Sequence, residues 1–236
     1  MSESGREYRI GEELRHDVGP MAVIAAMAVG GVLALGHLPA RVAVHFGANG
    51  QPNGFSSPAF AAFFPVGMAV VLWLVLTAVP VIDPRRRAYA QFRSVYRMLR
   101  LAVVGLLAVV DAATLLRAMG RPVDVSVVAP LAVAALLAVV GNLLPKVRPS
   151  WFVGIRTPWT LSNDEVWKRT HRAAGRMFVA AAPLPVIGVL AGGRWAVAAV
   201  LAAALAPSLV ATVYSFWLYG RLGPGDGMLP PSARSR

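Results

Sequence analysis

Six apolar stretches, each close to the length a helix needs to cross a hydrocarbon core of about 30 Å, divide this chain of 236 residues. They fall at 19–38, 59–82, 99–116, 125–144, 176–192 and 195–218. Between them the polar residues are gathered into short blocks instead of being spread through the stripes of a soluble fold. The chain is 57% hydrophobic and 14% charged, against about 45–50% and about 25% in soluble domains. That balance excludes a disordered chain. With no Cys, a disulfide scaffold and a Cys-based zinc site are excluded as well. The expected fold is an all-α membrane protein of six transmembrane helices joined by short loops. The fifth span is the shortest and carries Pro183 and Pro185, and the Gly192-Gly193-Arg194 turn leaves room for a hairpin into the sixth.

The net charge of +12 invites a nucleic-acid reading, but its distribution argues otherwise. Of the 23 Lys and Arg, all but Arg41, Arg117, Arg121 and Arg194 fall in connections on one side of the six spans. Positive-inside logic places that side, with both termini, in the cytoplasm of a plasma-membrane protein. The basic fringe is suited to anionic lipid headgroups, and nucleic acid is not an expected partner. The residues before the first span include Glu7, Glu12, Glu13 and Asp17, unlike the basic leader of a signal peptide, so the span reads as a retained helix. The expected organisation is a cytoplasmic N-terminal tail (1–18), a first helical hairpin with an outer loop (19–82), a four-helix region (83–222) with a cytoplasmic segment at 145–176, and a disordered C-terminal tail (223–236). Small residues recur every four positions at Ala22, Ala26, Gly30 and Ala34, and again at Ala198, Ala202 and Ala206. Both stripes are expected to pack helices closely.

Three places carry chemistry. In the outer loop, alternating Val42 and Val44 suggest an extended stretch, followed by turn residues from Gly50 to Gly54. His45, expected to bond loop backbone, is also a ligand-recognition candidate. His37 and His45 lack further ligands at metal-binding spacing, so neither a metal nor another cofactor is expected. Asp111 lies inside the third span, where an acid costs roughly 2.5–3.5 kcal/mol on insertion scales and must face the protein interior. It is either protonated and hydrogen-bonded or part of a binding or proton-linked site. Asn142 should sit about 11–14 Å lower along the membrane normal, too far for a direct bond.

The third place is the segment 145–176, in which Trp151, Phe152 and Trp159 are interleaved with Arg148 and Arg156. That mixture suits either an interfacial anchor or a ligand or partner surface. Ser162 and Glu165 are spaced as a capping box. They predict a helix that passes Trp167, His171 and Arg172 and runs straight into the fifth span.

The run Gly141-Asn142-Leu143-Leu144-Pro145-Lys146-Val147-Arg148-Pro149, then Val153-Gly154-Ile155-Arg156-Thr157-Pro158-Trp159, then Glu165 through Arg172, resembles the signature of the SdpI-type bacterial immunity and signalling proteins. The outer loop, from Leu38-Pro39 through His45-Phe46 to Pro52, is similar to a small uncharacterised membrane domain that often precedes that signature. The resemblance implies a non-enzymatic plasma-membrane protein that protects a cell from a secreted peptide toxin. It also implies a cytoplasmic transcriptional repressor as a possible partner. On this reading the binding candidates are Asp111, His45, Asn142, Arg156, Trp159, Trp167 and Arg172. Two alternatives use the same residues differently: a transporter coupled to protons through Asp111, with helix breaks at Pro183, Pro185 and Pro207, and an intramembrane hydrolase built on Asp111 and His45.

Overall fold

A computed structural model describes residues 8–47 and 49–224. In chain order the elements are α1 (Ile10–His16), α2 (Val18–Leu35), the strands β1 (Val42–Phe46) and β2 (Pro52–Ser56), α3 (Pro58–Ile82), α4 (Arg87–Gln91), α5 (Arg93–Ala118) and α6 (Val125–Leu143). A 3-10 turn (Leu144–Lys146), α7 (Pro158–Ser162), α8 (Asp164–Ala181), α9 (Leu184–Leu190) and α10 (Gly193–Leu222) follow. Six helical segments are long and apolar enough to cross a membrane. Large apolar side chains on their outer faces, among them Leu33, Leu74, Leu205 and Val213, are exposed, as lipid-facing positions must be. One layer packs α2, α3 and α5 together. A second packs α6, α8, α9 and α10, and the two meet along α5 and α6.

Lipid is as apolar as leucine, so close approach holds these helices together more than exclusion from water does. Where α6 crosses α8, a Cβ on Gly141 would lie 2.8 Å from the Gly175 carbonyl oxygen, and one on Gly175 would lie 2.6 Å from that of Gly141. The backbones touch because neither residue has a side chain. The anticipated alanine stripes do not make such contacts. Ala22, Ala26, Ala198, Ala202 and Ala206 are exposed and Gly30 is half-buried, leaving Ala34 as the buried member. Packing instead uses Met27 and Gly31 on α2, and Ala196, Ala203 and Ala211 on α10. In helices this rich in alanine several faces offer small residues, and spacing alone does not choose among them.

Four local features differ from expectation. The fifth span is longer than anticipated and is broken: α8 ends at Ala181 and α9 restarts at Leu184, because Pro183 and Pro185 lack the donors that would continue the ladder. The capping box at Ser162 and Glu165 does not form. Ser162 closes α7, donating to the Trp159 carbonyl at 3.1 Å. Asn163 caps α8, its Oδ1 accepting from the backbone N–H of Glu165 (2.8 Å) and Val166 (3.1 Å). The reciprocal box lies one helix earlier, between Thr157 and Thr160 on α7. The outer loop, for which one extended stretch was anticipated, is an antiparallel hairpin, with Val42 opposite Ser56 and His45 opposite Gly54. Residues 10–16 form a helix docked on α3 where a tail was expected. Most of the anticipated C-terminal tail, from residue 225 onward, lies outside the described residues.

Candidate functional site

The hairpin caps one end of the bundle. Val42 is fully buried beneath it, and β1 rests on α3 and α5. The Arg117 guanidinium lies 5.2 Å from the Phe46 ring centroid and that of Arg41 5.2 Å from Phe55, so two cations clasp the hairpin by its aromatic rings. His45 bonds the Asn53 side chain, Nδ1 to Oδ1 at 2.5 Å, where a backbone partner was anticipated. Antiparallel pairing supplies the reason, since it carries Asn53 back alongside His45.

Under the hairpin are two adjoining cavities of about 280 and 350 Å³, sharing Val44, Val110 and Thr114 as a common wall. The smaller is lined by Phe60, Phe64, Met68 and Leu107 and has Asp111 in its wall. The larger runs between α6 and α10 and has His45 at its rim. Asp111 is 4% exposed, and its Oδ1 has no hydrogen-bond partner. The anticipated structural hydrogen bond to that oxygen is therefore absent. Thr114 could have supplied one but donates to the Val110 carbonyl at 2.8 Å. The chamber is thus apolar except for one carboxyl oxygen without a hydrogen-bond partner, a combination of apolar wall and single acceptor.

At the opposite, basic end, 145–176 folds into a closed lobe. His171 is fully buried and stacks on Trp167, with ring centroids 3.9 Å apart. Its Nδ1 donates to the Trp167 carbonyl (2.9 Å) and its Nε2 accepts from the Ile155 N–H (2.9 Å), which fixes a neutral tautomer. Gly154 passes over this ring at φ +105, and a Cβ there would lie 2.3 Å from Nε2. Thr160 ties the turn, its hydroxyl reaching the Ile155 carbonyl at 2.9 Å. Trp159 donates to the Ser215 hydroxyl and packs edge-on against Phe216, fastening α7 to α10. Trp167 is 1% exposed and donates to the Val147 carbonyl at 3.0 Å. The motif is thus largely spent on its own folding. Its basic residues are less engaged: Arg156 is exposed and donates to the Trp151 carbonyl (2.8 Å).

The seven candidates therefore fall into separate groups. Asp111 and His45 share adjoining cavities, while Trp167 and Arg172 line one cleft at the basic end. Arg156 and Trp159 stand apart from both. Asn142 is exposed and donates to Ala138 of its own helix at 2.8 Å. Among the described residues no group of three or more His, Asp or Glu could hold a metal.

A further cluster was not anticipated. Glu13, fully buried, is met by Arg93 (3.1 Å), Arg97 (3.0 Å) and Arg100 (2.9 Å), and Arg100 also reaches Asp17 (2.8 Å). Trp73 and Tyr8 close the network through Asp17 and Arg100. Burial alone would raise the Glu13 pKa, but the hydrogen bonds from Arg97 and Arg100 override it and hold the carboxyl below its ordinary value. Burial pushes the Tyr8 hydroxyl up to about 12. Three arginines of the basic fringe are thus engaged in internal ion pairs. The acids at 13 and 17 and the bases at 93, 97 and 100 are far apart in the chain, and no local pattern links them.

Fold and sites together define a multi-pass helical membrane protein with a hairpin cap at one end and a closed basic lobe at the other. Within that class, residues 146–215 match the SdpI/YfhL protein family, and residues 22–70 match a domain of unknown function (DUF1648). Immunity protein SdpI of Bacillus subtilis (strain 168) is 23% identical over 186 residues, covering 79% of this chain and 87% of that protein. The first match runs from Lys146, at the start of the lobe, to Ser215, the residue to which Trp159 is fastened. No solved structure matches the chain.

Proposed function

We propose that this protein confers immunity at the bacterial plasma membrane by capturing an apolar, membrane-active secreted peptide in the cavities under its hairpin, with both termini in the cytoplasm. The observation that carries this reading is the unpartnered Oδ1 of buried Asp111 in the wall of an otherwise apolar chamber. A peptide side chain or amine that donates to it would satisfy a group the fold leaves unsatisfied, while the surrounding Phe and Met side chains take apolar residues. The similarity to a protein named for immunity supports the same reading. Relay to a cytoplasmic regulator fits the route of α5, which carries Asp111 near one end and the Glu13-bound arginines at the other.

The test is protection of a toxin-sensitive bacterium challenged with a panel of membrane-active peptides, comparing wild type, Asp111→Asn and Arg156→Ala at matched membrane levels. Wild type should protect against at least one peptide. Asp111→Asn, which keeps shape and loses charge, should lose protection tenfold or more against it. Arg156→Ala should keep protection and lose any reporter response. Protection by neither protein, or equal protection by wild type and Asp111→Asn, overturns the proposal. Protection that disappears when the proton gradient is collapsed, with the toxin still active, favours the transporter instead.

A further inference from the structure

Between the start of α5 and the first turns of α8, at the basic end, lies an open cleft of about 1050 Å³. Arg87, Lys146, Arg148, Lys168 and Arg172 line it, and none has a hydrogen-bond or ion-pair partner among the described residues. The lining holds a single carboxylate, Asp164, which stands 3.9 Å from Arg85. Converging like charges repel, and a low-dielectric wall strengthens their field. The same chain neutralises Arg93, Arg97 and Arg100 with Glu13 and Asp17 a few residues along α5. Lys168 and Arg172 also act on the carboxylate of Glu165 beside the cleft. Five cations against Asp164 and Glu165 still leave a local excess of positive charge that attracts an anion from outside the chain.

The floor identifies which anion. Phe92, Val95 and Val147 belong to the cleft and also to an apolar slot of about 120 Å³ that continues inward between α5 and α6. Leu99, Val140, Leu143 and Leu144 also line that slot, at the basic ends of the two spans. A cationic mouth opening onto an apolar throat, at the ends of membrane-spanning helices, has the polarity profile of a phospholipid. Free phosphate or an acidic protein segment would use the mouth and leave the throat empty.

We propose that this cleft is a specific site for an anionic phospholipid, its phosphodiester held by Lys146, Arg148 and Arg172 and the first part of an acyl chain lying in the slot lined by Leu99 and Val140. The site is independent of the hairpin cavities and would tie the lobe to the membrane surface.

The experiment uses the full chain in nanodiscs of phosphatidylcholine alone or with phosphatidylglycerol or cardiolipin, reading retained lipid by native mass spectrometry. Anionic lipid should be retained at least fivefold over phosphatidylcholine. The triple variant Lys146→Gln/Arg148→Gln/Arg172→Gln should fall to the phosphatidylcholine level. Val140→Phe, which fills the slot and changes no charge, should lower retention about threefold. Arg9→Gln/Arg15→Gln/Arg221→Gln, which removes equal charge elsewhere, should match wild type. Equal loss in that distant triple would show diffuse attraction and overturn the site. Full displacement by millimolar inorganic phosphate, with Val140→Phe behaving as wild type, would overturn the lipid in favour of a free anion. Displacement by a polyglutamate peptide with the same insensitivity to Val140→Phe would overturn it in favour of an acidic protein partner.

Discussion

Asp111 and Arg100 are both ionisable side chains taken out of water, and the fold treats them in opposite ways. Arg100 is fully buried and has Glu13, Asp17 and Tyr8 within 2.9 Å, whereas Asp111 Oδ1 has nothing. An unsatisfied buried polar group costs about 1–3 kcal/mol. Asp111→Leu should therefore raise thermal stability in detergent while abolishing protection. A variant that lowers stability would show that the carboxyl has a structural partner. Asp111 was legible in the sequence because one acid in an apolar run is conspicuous. Gly154 was not, since its role depends on a ring that arrives 17 positions later and is set by stacking on Trp167. With a positive φ and a Cβ position 2.3 Å from His171 Nε2, Gly154→Ala should destabilise the lobe by about 3 kcal/mol. Limited proteolysis between 148 and 163 should then accelerate.

Among the elements, the apolar cores of the spans were legible from length and composition, and their ends were not. Helix α5 starts at Arg93 and not near 99, because Arg93, Arg97 and Arg100 find carboxylates on a different part of the chain. No local pattern on α5 announces that pairing. The same pairing makes α1 a clasp across α3 and α5, and it gives the clasp a pH dependence. Glu13 titrates below its ordinary value when folded, so its contribution is complete above the unfolded carboxylate pKa and is lost as pH falls through the lower folded one. Thermal stability should decline as pH drops below about 4.5, the unfolded reference value. In Glu13→Gln that part of the decline should vanish, on top of a loss of about 3–5 kcal/mol at neutral pH from leaving Arg100 short of a partner. An unchanged acid limb in Glu13→Gln would assign the pH sensitivity to other carboxylates.

For the molecule as a whole, hydropathy and the separation of charge made the six-span architecture readable before any contact was known. What they could not convey is that the basic side is not uniform. Part of it is a closed network around Glu13, part is the lobe built on Trp167 and His171, and part is a cleft with an excess of cations over acids. These differ through long-range juxtapositions, such as Arg100 with Glu13, that composition averages away. The orientation proposed from that asymmetry has a direct test, because the chain contains no Cys and single cysteines can be added one at a time. Gln51 lies at the turn between β1 and β2 and Arg15 on α1, and both are exposed. A membrane-impermeant maleimide applied to intact cells should label Gln51→Cys at once and Arg15→Cys only after permeabilisation. The reverse order would invert the orientation, placing the Asp111 cavities at the cytoplasmic leaflet and removing them from the path of a secreted peptide.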